Sequence, residues 1–135
     1  VQVRLKSSRM NRMVGTPERA IDVLRQFIGP TDREHLVVML LDHRGAILGV
    51  HTVSIGTMTV SLVHPLEVFK PAIMSRAAAL ILCHNHPSGV ARPSSQDRNT
   101  TRRIAQAGKL LCIPLVDHII LGEGYFSFRE AGFLS

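Results

Sequence analysis

Two histidines two residues apart, His84 and His86, stand in the stretch LILCHNHPSGVARPSSQD, and an acid, Asp97, follows eleven residues later with Ser94 three before it. Imidazole nitrogens and carboxylate oxygens are zinc ligands, and three protein ligands with a fourth position open make a catalytic zinc site rather than a structural one. The histidines close an apolar run that reads as a strand. There, residues i and i+2 point to one face about 7 Å apart, so both rings can converge on one ion while Asn85 points the other way, into the body. Asp97 falls one turn into the next helix, and a strand–loop–helix connection can fold that helix start back over the strand end. Each piece also has a plain structural reading. Ser94-x-x-Asp97 is a capping box, with Ser94 bonding free N–H groups and Asp97 favoured by the helix dipole. Ser88-Gly89 and Pro93 are ordinary loop punctuation. What favours the metal is the sum: His-x-His, seven residues, Ser, two residues, Asp.

The elements that must position these groups can be read around them. Thr16 with Pro17 and Glu18 predicts a helix start, Ala20, Val23, Leu24 and Phe27 line one face, and Gly29-Pro30 ends the helix. HLVVMLLD predicts a strand buried on both faces, and AILGVHTVSIG, after a turn at 43–45, a second strand forming a hairpin with it. The segment TMTVSLVHP is extended or irregular. PLEVFKPAIMSRA predicts a helix, kinked or broken near Phe69 by Pro71. AALILCHN is a third strand, Ser94 to about Leu110 a helix, LVDHIILG a fourth strand and YFSF a short fifth. The natural packing is a single α/β domain, a mixed β-sheet flanked by helices on both sides.

The chain has 135 residues, 45% of them hydrophobic, with few aromatics and no Trp, so one domain with an aliphatic core is expected. Sixteen Lys and Arg against ten Asp and Glu give a net charge of +6, which permits DNA association without specifying it. The densest basic stretch is VRLKSSRMNR, within an N-terminal arm of residues 1–15. Cys83 and Cys112 both sit among apolar residues, and buried free thiols in a reducing compartment are expected. No apolar run reaches the ~18 residues of a membrane span, and no secretory leader is visible. A cytoplasmic location follows as the expectation.

The spacing H-x-H-x7-S-x2-D, with HNHPSG…PSSQD set among VSIGT, HPLEVF and DHIILG, resembles the JAMM (MPN-plus) metalloprotease motif in the form carried by the RadC family, over residues 16–135. The resemblance implies a JAMM/MPN-like fold, of cytidine-deaminase-like architecture. It implies Zn2+ held by His84, His86 and Asp97, with a water in the fourth place whose pKa falls toward about 7. The family pattern also needs an upstream glutamate, and Glu34 in DREHLVVMLL matches; alone, it would read as a solvated acid at a strand start. By the resemblance Glu34 is the general base that passes the proton to the leaving amine. Ser94 donates to the oxyanion, a contribution of about 3 kcal/mol for such donors. The implied activity is that of a zinc metallopeptidase or isopeptidase acting on a peptide or protein substrate. RadC proteins commonly carry a helix-hairpin-helix region, the part expected to meet DNA, ahead of this domain; fifteen residues precede Thr16 here.

Other readings compete. The letters HNH name a nuclease unit whose residues are spread over a ββα motif, not three consecutive residues. A zinc deaminase needs H-x-E and P-C-x-x-C, and neither is present. The alternative from another class is a zinc-binding, weakly or non-catalytic DNA-repair accessory or interaction module. His118, in the fourth strand, is read as a core histidine or as a hydrogen-bond partner of a ligand. Exposed sheet edges allow a homodimer.

Overall fold

The computed structural model describes residues 2–3, 17–56 and 63–134. The expected Thr16 cap, most of the basic arm and most of the segment after Gly56 lie outside the described residues. In chain order the elements are β1 (Gln2–Val3), α1 (Pro17–Ile28), β2 (Glu34–Leu41), β3 (Ile47–Gly56), α2 (Pro65–Met74), β4 (Ala79–Asn85), α3 (Ser95–Leu111), β5 (Leu115–Leu121) and β6 (Tyr125–Ser127). The strands form one mixed sheet in the order β1-β3-β2-β4-β5-β6. Among the described strands only β4 and β5 pair in parallel, because α3 carries the chain from one to the other as a crossover.

The central strands β2 and β4 are apolar along most of their length because helices cover both faces. On one face Ala20, Ile21 and Leu24 of α1 pack over Val37, Met39, Ile81 and Cys83. On the other, Val68, Phe69 and Ala72 of α2 and Ile104 of α3 pack over Leu36, Val38, Leu40, Leu80 and Leu82. The expected α/β architecture with helices on both sides is therefore the one observed.

Two local expectations are corrected. α2 runs unbroken through Pro71; the backbone bond that Pro71 forfeits would go to Glu67, an exposed residue, while buried Val68, Phe69 and Ala72 hold both halves of the helix on the sheet. Cys112 is exposed rather than buried. It caps the C-terminus of α3 in the left-handed conformation, φ 59°, which turns it away from the core.

β5 carries the feature that matters most for the site. Its pairing with β4 steps from Leu80↔Leu115 to Ile81↔Asp117, so two residues of β5 oppose one of β4. That bulge inverts the in–out alternation beyond Val116. Leu115 enters the α2/α3 core, and beyond the bulge His118, paired with Leu82, faces the same side. Asp117 turns to the opposite side with Ile119 and Leu121.

Candidate metal centre

β2 and β4 pair antiparallel with Leu36 opposite His84. Extending that register sets Glu34, the first residue of β2, across from His86, and all four side chains leave the sheet on the face covered by α3. Helix α3 starts where β4 ends, with Ser94 as its N-cap. The Ser94 hydroxyl accepts from the Asp97 N–H at 3.0 Å, and Asp97 Oδ2 accepts from the Ser94 N–H at 2.8 Å. The capping box fixes the Asp97 carboxylate directly over the strand end.

The resulting distances are short. His84 Nε2 and His86 Nε2 stand 3.0 Å apart. Asp97 Oδ1 is 3.4 Å from His84 Nε2, and Asp97 Oδ2 is 3.6 Å from His86 Nε2. Glu34 Oε1 is 3.9 Å from His84 Nε2, and Glu34, His84 and His86 each offer a ligand atom within 4.8 Å of the others. His84 is fully buried, and Asp97 nearly so at 5% exposure.

The donor set fits a zinc-sized cation. Bonds of about 2.0–2.1 Å in a tetrahedron place ligand atoms about 3.3 Å apart; the two histidine nitrogens are 3.0 Å apart, and each has one of the two Asp97 oxygens beside it, at 3.4 and 3.6 Å. His86 is oriented for the task. Its Nδ1 lies 2.9 Å from the Val90 carbonyl, which can only accept, so Nδ1 carries the proton and the Nε2 lone pair faces His84 and Asp97.

The electrostatics agree. Burial alone would push the Asp97 carboxyl up, but His84, His86 and the Ser94 N–H together hold it well below the usual carboxylate range. The Asp97 carboxylate, 3.6 Å from His86 Nε2, raises the His86 imidazole above its usual value, against a smaller opposing effect of burial. A divalent cation here would replace a proton that the carboxylate already attracts.

Three supports hold this loop and strand end in place. The Glu123 N–H donates to the Gly89 carbonyl at 2.8 Å, tying the loop after β4 to the β5–β6 turn. Gly122 packs so tightly there that an added Cβ would lie 2.4 Å from the Gly89 carbonyl oxygen. Arg25 of α1 donates to the carbonyls of Gly122 and Gly124 at 3.1 and 2.9 Å, clamping the turn from the other side.

A fourth support is Asn85, which the sequence pattern placed on the opposite face without a task. Its Oδ1 accepts from the His35 N–H at 2.6 Å, and its Nδ2 donates to the Arg33 carbonyl at 2.9 Å. The amide mimics one further rung of backbone ladder between β4 and β2, and the two groups it engages bracket Glu34. Only the alternation of the strand together with its pairing register reveals this.

His118 also joins the site. It is fully buried, its ring stacks on Phe128 at 4.8 Å, and its Nε2 lies 2.8 Å from His84 Nδ1. Burial, reinforced by neighbouring His84, holds its imidazole well below the usual histidine range. Asp117 pins the same strand from behind, accepting from Ser127 Oγ at 2.6 Å and from the Arg129 N–H at 3.0 Å. Cys83 faces α1, away from the histidines, and burial pushes its thiol up. His35 points away from Glu34, with Nε2 3.2 Å from Thr31 Oγ1.

A family model described as RadC-like JAB domain matches residues 14–133. A UPF0758 protein of Rubrobacter xylanophilus is 48% identical over 122 residues, which cover 90% of this chain and 54% of that protein. UPF0758 proteins of Caldanaerobacter subterraneus and Clostridium acetobutylicum are 41% and 39% identical, each matching 53% of its own length to about nine-tenths of this chain. The chain thus spans about half the length of these curated relatives.

Proposed function

Since the chain belongs to the RadC-like JAB domain family, we propose that it is a zinc-dependent hydrolase of amide bonds, a metallopeptidase or isopeptidase. The observation that carries this reading is the convergence of two imidazole nitrogens and a buried carboxylate within 3.6 Å, with a second carboxylate standing just outside that trio. His84, His86 and Asp97 would hold the ion. Bound zinc supplies a Lewis acid that makes a water acidic enough to ionise near neutral pH.

The chain's own groups do the rest. Glu34, 3.9 Å from His84 Nε2 and partly exposed, takes a proton from the attacking water and returns it to the leaving nitrogen. The Ser94 hydroxyl uses a lone pair in the capping box, so its proton is free to stabilise negative charge developing on the carbonyl oxygen of the substrate. Asn85 keeps Glu34 at the rim while contributing no ligand. The two cysteines are unpaired and Cys112 is exposed, which suits a reducing cytoplasm. No helix among the described residues is long and apolar enough to cross a membrane.

A second reading keeps the zinc and drops the turnover: an accessory module of DNA repair. It is favoured by the exposed basic residues Arg98, Arg102 and Lys109, spaced to share one face of α3. A homodimer through a sheet edge is compatible with either. The test is zinc stoichiometry followed by hydrolysis across isopeptide-linked and C-terminally extended peptides, with Glu34→Gln alongside. The hydrolase reading expects stoichiometric zinc in both proteins and turnover only in the parent. Zinc without turnover, joined to salt-dependent DNA affinity, would move the conclusion to the accessory role. Absence of zinc binding would overturn both.

A further inference from the structure

His86 has its tautomer set in one step, by a carbonyl against Nδ1. His84 is fully buried inside the sheet, and its Nδ1 meets another ring, His118 Nε2, at 2.8 Å. A ring nitrogen can donate or accept, so this contact alone leaves the His84 tautomer undetermined. The chain of bonds continues, however. His118 Nδ1 lies 2.5 Å from Thr101 Oγ1, and Thr101 Oγ1 lies 2.7 Å from the main-chain carbonyl of Asp97.

That last acceptor sets the direction of the whole series. The Asp97 carbonyl has no proton, so the threonine hydroxyl spends its single proton on it. Its oxygen then accepts from His118 Nδ1–H. An uncharged His118, fully buried and stacked on Phe128, is left with a bare Nε2, which accepts from His84 Nδ1–H. His84 Nε2 is then free of hydrogen and faces His86, Asp97 and Glu34. The reverse direction would put the proton on His84 Nε2, where a metal has to bind.

We propose that Thr101 and His118 are positioning residues: a relay, anchored on the main chain of Asp97, that holds His84 in the Nδ1–H tautomer and leaves Nε2 ready to ligate. The relay deepens the zinc reading and rests on it for its purpose, yet its first readout needs no metal. The side chain and the backbone of Asp97 serve the same site from two sides. The carboxylate stands beside the two Nε2 atoms, and the carbonyl orders the proton on the far side of His84. The bulge in β5 is what brings His118 into line.

The experiment uses the full chain, 15N-labelled at histidine and metal-free, with long-range proton–nitrogen spectra assigning each ring. The expected result is a single His84 tautomer with hydrogen on Nδ1. Thr101→Val, nearly isosteric, should populate the Nε2–H form and weaken zinc affinity about 10–100-fold, the usual effect of removing a partner of a metal-bound histidine. Thr101→Ser, which keeps the hydroxyl, should restore both. A parent protein showing His84 as Nε2–H would overturn the proposal without any variant. So would a Thr101→Val protein with the parent tautomer and the parent zinc Kd. If the parent fails to bind zinc while His84 is Nδ1–H, the zinc reading falls and the relay stands.

Discussion

Replacing Asn85 with alanine should free Glu34 while leaving His84, His86 and Asp97 in place. The side-chain amide makes two hydrogen bonds to β2, to the His35 N–H at 2.6 Å and the Arg33 carbonyl at 2.9 Å, in a partly buried setting. Backbone pairing between β2 and β4 begins only at Leu36↔His84, so these two bonds are what carries the hydrogen-bonded tie between the strands past Leu36. Each backbone group left without its partner costs about 1–2 kcal/mol at a site that water partly reaches, giving about 2–4 kcal/mol for the pair. That cost falls on local opening of residues 33–35. Because 1.36 kcal/mol is a factor of ten, hydrogen-exchange protection of the His35 amide should fall about 30- to 1,000-fold. Amides in the middle of β4, such as that of Leu82, should change far less. Zinc affinity should stay within a few-fold of the parent, while amide hydrolysis should drop with the loosened Glu34. Asn85→Asp should rescue little, because a carboxylate can accept from the His35 N–H but repels the Arg33 carbonyl. Unchanged protection of the His35 amide in Asn85→Ala would refute the assignment of Asn85 as a clip.

Further expectations follow from other contacts. Gly122→Ala should push the Gly89 backbone and disturb the Val90 carbonyl that orients His86, since the new Cβ would lie 2.4 Å from the Gly89 oxygen. A thermal scan with and without zinc should show a loss of about 1–3 kcal/mol, as for overpacking against backbone, together with a smaller zinc-induced rise in Tm; an unchanged Tm and zinc response would contradict this packing. Zinc held by His86 as proposed would displace the proton that Asp97 favours on that ring, whose pKa is raised. Zinc affinity should therefore weaken about tenfold per pH unit below that raised value and level off above it, measured by chelator competition between about pH 5.5 and 8. In the metal-free fold the same shift stabilises below the unfolded histidine value of about 6.5 and is lost as pH rises through the folded one. The depressed Asp97 carboxyl works oppositely: its contribution is present above the unfolded aspartate value and is lost as pH falls. A pH-independent zinc Kd would count against His86 as a ligand. Finally, a thiol reagent should label Cys112 rapidly in the native state, while Cys83, buried with its thiol pushed up, should react only on unfolding.

Much of this molecule was legible in the residues themselves. An apolar run long enough for one strand, ending in His84 and His86, dictates two rings on one face because strand alternation has a period of two. Ser94 and Asp97 mark a helix start by their capping chemistry, and the cap does hold the acid over the strand end. The pairing of Glu34 with a site fifty residues away came from the resemblance to the RadC family, and antiparallel register supplies the physical reason for it. What the chain alone left open was decided by contacts between elements. Pro71 reads as a break, yet buried neighbours on either side keep its helix whole. Asn85 reads as a residue of the opposite face, and only the partner strand shows what its amide binds. His118 is the plainest instance. Uninterrupted alternation from Leu115 would have turned Asp117, not His118, toward α3, and a single bulge against β4 reverses that phase. Periodicity along one strand is a local property that sequence determines. Its phase relative to a neighbouring strand depends on where a bulge is tolerated, and that is settled only when the sheet and its covering helix pack together.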